Sequence, residues 1–204
     1  MKTKTKALLL AVCGVLLIVG TVFTTVAFLT STTDVVKNTF TVGNVTITLD
    51  EKDVDDSTPN KDRDIENEYH LVPDGEYEKD PTIHVQANSE DCYLFIKVKN
   101  DIASVEDSSS TIASQILANG WVVLSEENDG SVIYYLNEKV ESDDDVQDID
   151  IFANFKVSDD VSNETLAALV ETEPSITVVA YAIQSTGFGS AAEAWAAAPS
   201  TWTK

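Results

Sequence analysis

Only two histidines, His70 and His84, are available in this chain as nitrogen ligands for a metal or as a general base. Neither belongs to a His-Glu-x-x-His motif, and neither has a second histidine one helical turn away. If they meet across a hairpin, with Glu68 or Asp80 nearby, these side chains could bind zinc. The alternative is that each is an ordinary surface or sheet-edge histidine, which is the commoner role.

Dense runs of carboxylates suggest a second kind of chemistry, because calcium prefers oxygen ligands. Two stretches of the chain supply them: Asp53, Asp55 and Asp56, and then Asp143, Asp144, Asp145, Asp148 and Asp150. Neither stretch has the spacing of aspartates, glycine and final glutamate that an EF-hand loop requires. Calcium is the one cofactor that these runs indicate. The alternative is a solvated acidic loop that only concentrates counterions.

Covalent catalysis has no recognisable motif in this sequence. There is no Gly-x-Ser-x-Gly elbow, and Cys92 has no evident histidine partner. Gly187 and Gly189 stand in a glycine pair without the lysine of a phosphate-binding loop. The sequence therefore predicts a protein that is not an enzyme.

The charge of the chain restricts its partners. Thirteen basic and 35 acidic residues give a formal net charge of −22. Binding of nucleic acid requires a positive surface, so nucleic acid is excluded as a partner. Anionic lipid is excluded by the same argument. Cations, or a cationic partner, fit this charge.

The first 27 residues have the pattern of an export signal. Lys2, Lys4 and Lys6 precede an apolar run over residues 7–19, and a small-x-Ala pattern ends at Ala27. We expect a signal helix over 1–27 that is cleaved between Ala27 and Phe28, so that the chain contacts the membrane only before cleavage. The alternative is a retained anchor, because residues 7–33 carry no charge and are just long enough to span a bilayer.

Hydrophobic alternation predicts short strands along the rest of the chain, with helices between them. The predicted strands cover residues 38–49, 69–72, 81–87, 92–98, 121–124, 132–136, 151–157 and 176–183. Capping residues and helical spacing predict helices at 108–117, 163–170 and 191–198. The pairs 81–87 with 92–98 and 121–124 with 132–136 are expected to form hairpins. Residues 50–68 and 140–150 are expected to be acidic loops.

This order of elements predicts a mainly β fold, an antiparallel β-sandwich with two or three short helices. Nothing in the pattern divides residues 28–204 into more than one domain. The segment 28–49 is β-prone and almost uncharged, with apolar side chains at Phe40, Val42, Val45, Ile47 and Leu49. Such a segment can add as a strand to the sheet edge of a neighbouring subunit, or it can pair within its own domain.

Several of these stretches resemble the TasA/camelysin-type proteins, which Gram-positive bacteria export through the signal peptidase SipW. The likeness is strongest from the hydroxyl-rich end of the signal through 38–49. It continues at 79–81, 87–89, 93–98, 120–121, 132–135, 179–184 and 191–195. The family commonly has Ala-Tyr-Phe-Thr-Asp at the cleavage site, so Leu29 and Ser31 depart from its pattern.

The resemblance implies a jelly-roll sandwich and a secreted structural protein of the cell surface or biofilm matrix. In the fibre-forming relatives, the freed N-terminal segment of one subunit supplies a strand to the next. The expected partners are therefore other copies of the chain, which would associate into filaments, and the SipW-type peptidase that would process the chain.

Two other functions remain open from the sequence. One is a camelysin-like secreted metallopeptidase, which would depend on His70 or His84. The other is a monomeric secreted binding module whose acidic loops hold calcium or a cationic partner. Trp195 and Trp202 could stack on sugars, although such residues more often cover a hydrophobic core.

Overall fold

A computed structural model describes residues 30–32, 45–55 and 62–202 of the chain, and only the backbone of 30–32. The predicted signal helix and its cleavage site at Ala27 and Phe28 lie outside the described residues. Phe40 and Val42 of the predicted assembly segment lie outside them as well. No helix of the described part is both long and apolar enough to cross a bilayer.

The described chain is mainly β, with antiparallel sheets and three helices, as the sequence predicts. The strands are β1 Thr30–Thr32, β2 Ile47–Lys52, β3 Arg63–Asp64, β4 Glu76–Glu78, β5 Thr82–Val85, β6 Cys92–Asn100, β7 Trp121–Glu126, β8 Val132–Leu136, β9 Gln147–Asp150, β10 Asn154–Lys156 and β11 Ile176–Gln184. The helices are α1 Ile112–Ala118, α2 Asn163–Val170 and α3 Ala191–Ala196.

Each helix begins at a hydroxyl side chain that caps its first turn. Thr111, Ser162 and Ser190 each accept a hydrogen bond from the backbone N–H three residues later. In α3, Glu193 accepts a second bond from the N–H of Gly189, one residue outside the cap. The three predicted helices are confirmed, although α1 begins four residues later than 108.

The largest sheet has five strands in the order β1-β11-β6-β8-β7. Strands β6 and β11 pair along nine residues, from Cys92 opposite Gln184 to Asn100 opposite Ile176. Apolar side chains stand on both faces of these strands, which is why they occupy the middle of the sheet. The predicted hairpin of 121–124 with 132–136 is confirmed as β7 and β8.

The second sheet has four strands in the order β3-β2-β5-β9, and a small sheet pairs β10 with β4. Inward side chains of the four-stranded sheet, such as Ile47 and Ile83, join one core with Leu94, Ile96 and Val178 of the five-stranded sheet. The two larger sheets therefore bury their apolar faces in a common core.

A second cluster lies on the opposite face of the five-stranded sheet. Phe95, Tyr181 and Ile183 point to this side, where α3 and Trp202 cover them. Trp202 is 3% exposed, and the ring of Trp195 lies 4.8 Å from that of Phe95. These two tryptophans therefore cover a core, as the alternative to sugar stacking predicts.

Four local predictions are wrong. Strands 81–87 and 92–98 do not form a hairpin, because β5 and β6 belong to different sheets. The expected loop 50–68 contains the end of β2 and all of β3, and the expected loop 140–150 ends in β9. Residues 69–72 form no strand, since the Tyr77 hydroxyl, and not a strand partner, accepts the bond from the N–H of Val72.

A buried ion pair stands at the border of the main core. Glu51 follows Ile47 and Leu49 on the inward face of β2, and it is only 5% exposed. Its carboxylate binds the ammonium group of Lys79 and accepts a further bond of 2.9 Å from Asn67. A buried carboxylate is stable only with such partners, because burial removes its hydration.

We predict that Lys79→Met lowers the free energy of unfolding by about 3 kcal/mol, because it leaves the Glu51 carboxylate buried without its cation. The matched control is Lys52→Met, since Lys52 pairs with Glu78 at a site where both side chains are about half exposed. Urea denaturation should show little change for this control. Equal losses in the two variants would contradict the prediction.

Candidate functional site

Strand β1 forms one edge of the five-stranded sheet. Its three residues lie against the C-terminal part of β11, with Thr30 opposite Ile183 and Thr32 opposite Tyr181. β11 carries no charged side chain along its nine residues. An uncharged strand of this length at a sheet edge attracts another strand, and here β1 is the strand that covers it.

The other edge of this sheet, β7, is built differently. A β-bulge interrupts its pairing with β8 between Val123 and Ser125. Bulges twist an edge and disfavour the addition of a further strand. The two sides of the sheet are therefore unequal, and β11, which β1 covers here, is the side suited to strand pairing.

The rest of the predicted assembly segment is placed elsewhere. Val45 and Ile47 are buried in the main core, and Leu49 packs against it. Ile47 and Leu49 pair with Val85 and Ile83 of β5. In this structure these three side chains therefore belong to the chain's own fold. Of the described parts of the segment 28–49, only β1 remains a candidate for pairing with a neighbouring subunit.

A second candidate site lies on the outer face of the four-stranded sheet, where His84 joins three strands. Its Nδ1 lies 2.6 Å from Oδ1 of Asp148 on β9, and its Nε2 lies 3.0 Å from Oδ1 of Asp50 on β2. Arg63 of β3 donates to the same Asp50 oxygen and, at 2.8 Å, to Asp80. We call these five residues the charged face.

The environment of His84 changes its protonation. Burial by itself lowers the pKa of His84, but hydrogen bonds to Asp50 and Asp148 outweigh burial and raise that pKa above its ordinary value. The protonated ring can donate from both nitrogens, one to each carboxylate. In its protonated form, His84 is therefore a cationic bridge between β2, β5 and β9.

The other predicted metal ligands lie apart from this face. His70 is exposed, and its backbone carbonyl accepts a bond of 2.7 Å from Tyr77. Asp143, Asp144 and Asp145 are exposed in the loop before β9, where the Asp143 carboxylate accepts from the N–H of Asp145. Within the described ranges, no three or more His, Cys, Asp or Glu side chains form a group that could hold a metal ion.

Cys92 is fully buried in the main core, as expected of a small apolar residue. Burial, with a smaller contribution from Asp91, raises the pKa of its thiol to about 12. Because the thiolate is the reactive form, this side chain is unsuited to nucleophilic catalysis in the folded protein.

A third feature is a groove that the sequence analysis did not find. Two adjoining clefts, of about 560 and 850 Å³, share Glu68, Tyr69, Leu71 and Val170. One wall is the segment 65–72, and the other is α2 with the residues that follow it. We call this the 65–72 groove.

Some of these features had a signal in the sequence and others had none. Glu51 stands in phase with Ile47 and Leu49, and a charge at an inward position indicates a buried partner. The partners of His84, in contrast, are 34 and 64 residues away along the chain. The 65–72 groove likewise combines segments that are distant in sequence.

The fold defines the described chain as a mainly antiparallel β protein with three helices. Comparison with family models, curated proteins and solved structures finds no match to the chain.

The raised pKa of His84 predicts how its contribution to stability depends on pH. The contribution should be complete below the unfolded-state value of about 6.5 and be lost as the pH rises through the higher folded-state value. We therefore expect His84→Gln to cost about 1–2 kcal/mol more at pH 5.5 than at pH 8.5. Urea denaturation at both values measures this difference, and a pH-independent loss would refute the ion-pair role.

His70→Gln is the matched control, because His70 is exposed and lies outside the charged face. Its unfolding free energy should stay within about 0.5 kcal/mol of that of the parent protein, as expected for a substitution at an exposed position.

Proposed function

We propose that this chain is an exported structural protein of the TasA/camelysin type, whose subunits assemble on the cell surface or in the matrix by N-terminal strand donation. The single observation that supports this most directly is the position of β1 on the edge of β11. Residues 28–32 would be the first residues of the chain after cleavage at Ala27. Strand β1, Thr30–Thr32, would then begin at the third residue of the cleaved chain.

The length of chain between β1 and β2 permits the strand to come from a neighbour. Residues 33–46 separate the two strands. Fourteen residues reach at most about 45 Å when fully extended. The same three backbone pairs with β11 can therefore form within one subunit or between two.

The buried side chains of β11 make this strand a suitable acceptor for a donated strand. Tyr181 and Ile183, which stand opposite Thr32 and Thr30, are 6% and 1% exposed. The backbone beside them is held by full pairing with β6 on its other side. A rigid, apolar strand requires little ordering when a further strand is added.

Donation from each subunit to the next produces an open series. The donor and the acceptor are different surfaces, so the contact is head-to-tail and need not close into a ring. Within this proposal the two larger sheets form the jelly-roll sandwich of the family. Cleavage removes three lysines, so the net charge changes from −22 to −25. This charge opposes close approach, so assembly should be faster at higher ionic strength or with calcium present.

We predict that the chain beginning at Phe28 forms filaments at 0.15 M salt, whereas the chain beginning at Thr33 remains monomeric. Electron microscopy and analytical ultracentrifugation distinguish the two states. Removing only β1 preserves the buried Val45 and Ile47, so the shorter chain should keep its fold, as its circular dichroism will show. Filaments from the shorter chain, or a monomeric longer chain, would overturn the proposal.

Two proline variants provide a finer test. Backbone N–H groups of consecutive strand residues point to opposite sides, so only one of Thr30 and Ser31 donates toward β11. Of Thr30→Pro and Ser31→Pro, one should abolish filaments and the other should weaken them less. Equal assembly by both variants and the parent chain would show that this strand is not the donor.

A further inference from the structure

Exposed apolar side chains concentrate at the 65–72 groove. Ile65, Val72 and Val170 border it and are 41%, 43% and 53% exposed. The floor is made of core residues, among them Ile102 and Phe155, which are almost fully buried. A groove in which exposed apolar side chains adjoin core residues is typical of a binding site.

Acidic side chains stand on both walls of the same groove. Glu66 and Glu68 lie on the 65–72 wall, and Glu173 lies on the opposite one. All three are exposed. Lys79 is the only lysine or arginine among the lining residues of the two clefts, which also include His70, and the buried Glu51 neutralises Lys79. The groove therefore combines an apolar floor with a negative rim.

The walls are held in place before any ligand binds. Asn67 donates to Glu51 and to the carbonyl of Lys52, and its own oxygen accepts from the N–H of Val54. The Tyr69 hydroxyl donates to the carbonyl of Glu78 at 3.0 Å. A preformed groove requires less ordering on binding than a mobile one.

We propose that the 65–72 groove binds a peptide segment of another protein in which basic and apolar side chains alternate. The apolar side chains would enter the groove against Val170 and Ile65, and the basic ones would face the glutamates of the rim. A second copy of this chain is disfavoured at this groove because it offers few basic side chains for the rim, with 13 basic against 35 acidic residues in the sequence. The site is separate from the β11 edge and does not depend on the assembly proposal.

The test uses a fluorescently labelled peptide of four Lys-Leu repeats and the monomeric fraction of the chain beginning at Phe28, separated by size-exclusion chromatography. Binding is measured by anisotropy at 0.15 M salt. Saturable binding is expected. A Lys-Ser peptide of the same charge and a Glu-Leu peptide should each bind at least about tenfold more weakly. Absence of binding, or equal binding of the Lys-Ser peptide, would overturn the proposal.

Matched variants locate the site. Val170→Ser should weaken binding about tenfold. Val146→Ser, at a valine that is equally exposed at 49% but lies outside the groove, should have no effect. Equal weakening by both variants would show only general attraction to an acidic protein. A changed sedimentation coefficient of Val170→Ser alone would instead identify a second copy as the occupant.

The charged rim has its own pair of variants. Glu68→Gln combined with Glu173→Gln should weaken the Lys-Leu peptide about tenfold. The control, Glu90→Gln combined with Glu138→Gln, removes the same charge from exposed positions outside the groove. A control that weakens binding as much as the rim variant would refute a specific site.

Discussion

Strands β6 and β11 pair along their whole length, and each sends side chains into both hydrophobic clusters. Leu94 and Ala182 enter the main core, whereas Phe95 and Tyr181 enter the cluster beneath α3. The four-stranded sheet packs on one side of this pair, and the C-terminal segment with Trp202 packs on the other. The rest of the fold is thus arranged around these two strands. Their first residues, Cys92 and Ile176, are 84 positions apart in the sequence.

An acidic chain can build sheets only where its carboxylates are kept apart or bridged by cations. In the four-stranded sheet, Asp50 and Asp148 stand on neighbouring sides of His84, and Arg63 holds Asp50 and Asp80. At the border of the main core, the ammonium group of Lys79 pairs with the buried carboxylate of Glu51. Few of the 13 basic residues are therefore available as independent surface charges in this region, and the surface outside the bridges is left acidic.

Local patterns in the sequence predict the elements whose stability is local. The helical spacing of Leu166, Leu169 and Val170 predicts α2, and the capping box at Ser190 predicts α3. The β-rich apolar run of 176–183 predicts β11. Strands β3 and β9 escaped prediction because Arg63 and His84, which hold them, act across the sheet on residues distant in sequence. The alternation at 81–87 predicts a strand but not its partner, so β5 was assigned to the wrong sheet. The 65–72 groove depends on tertiary packing and could not be predicted.

Cys92 is the first residue of strand β6. Its N–H donates to the carbonyl of Val140 at 2.8 Å, and its carbonyl accepts from the N–H of Val140 at 2.9 Å. Its sulfur is enclosed in the core, and its thiolate form is scarce at neutral pH. A chain cleaved after Ala27 has no other cysteine. An oxidising medium should therefore leave the folded, cleaved chain without disulfide cross-links. Labelling of this thiol would then report how often the central strand pair separates.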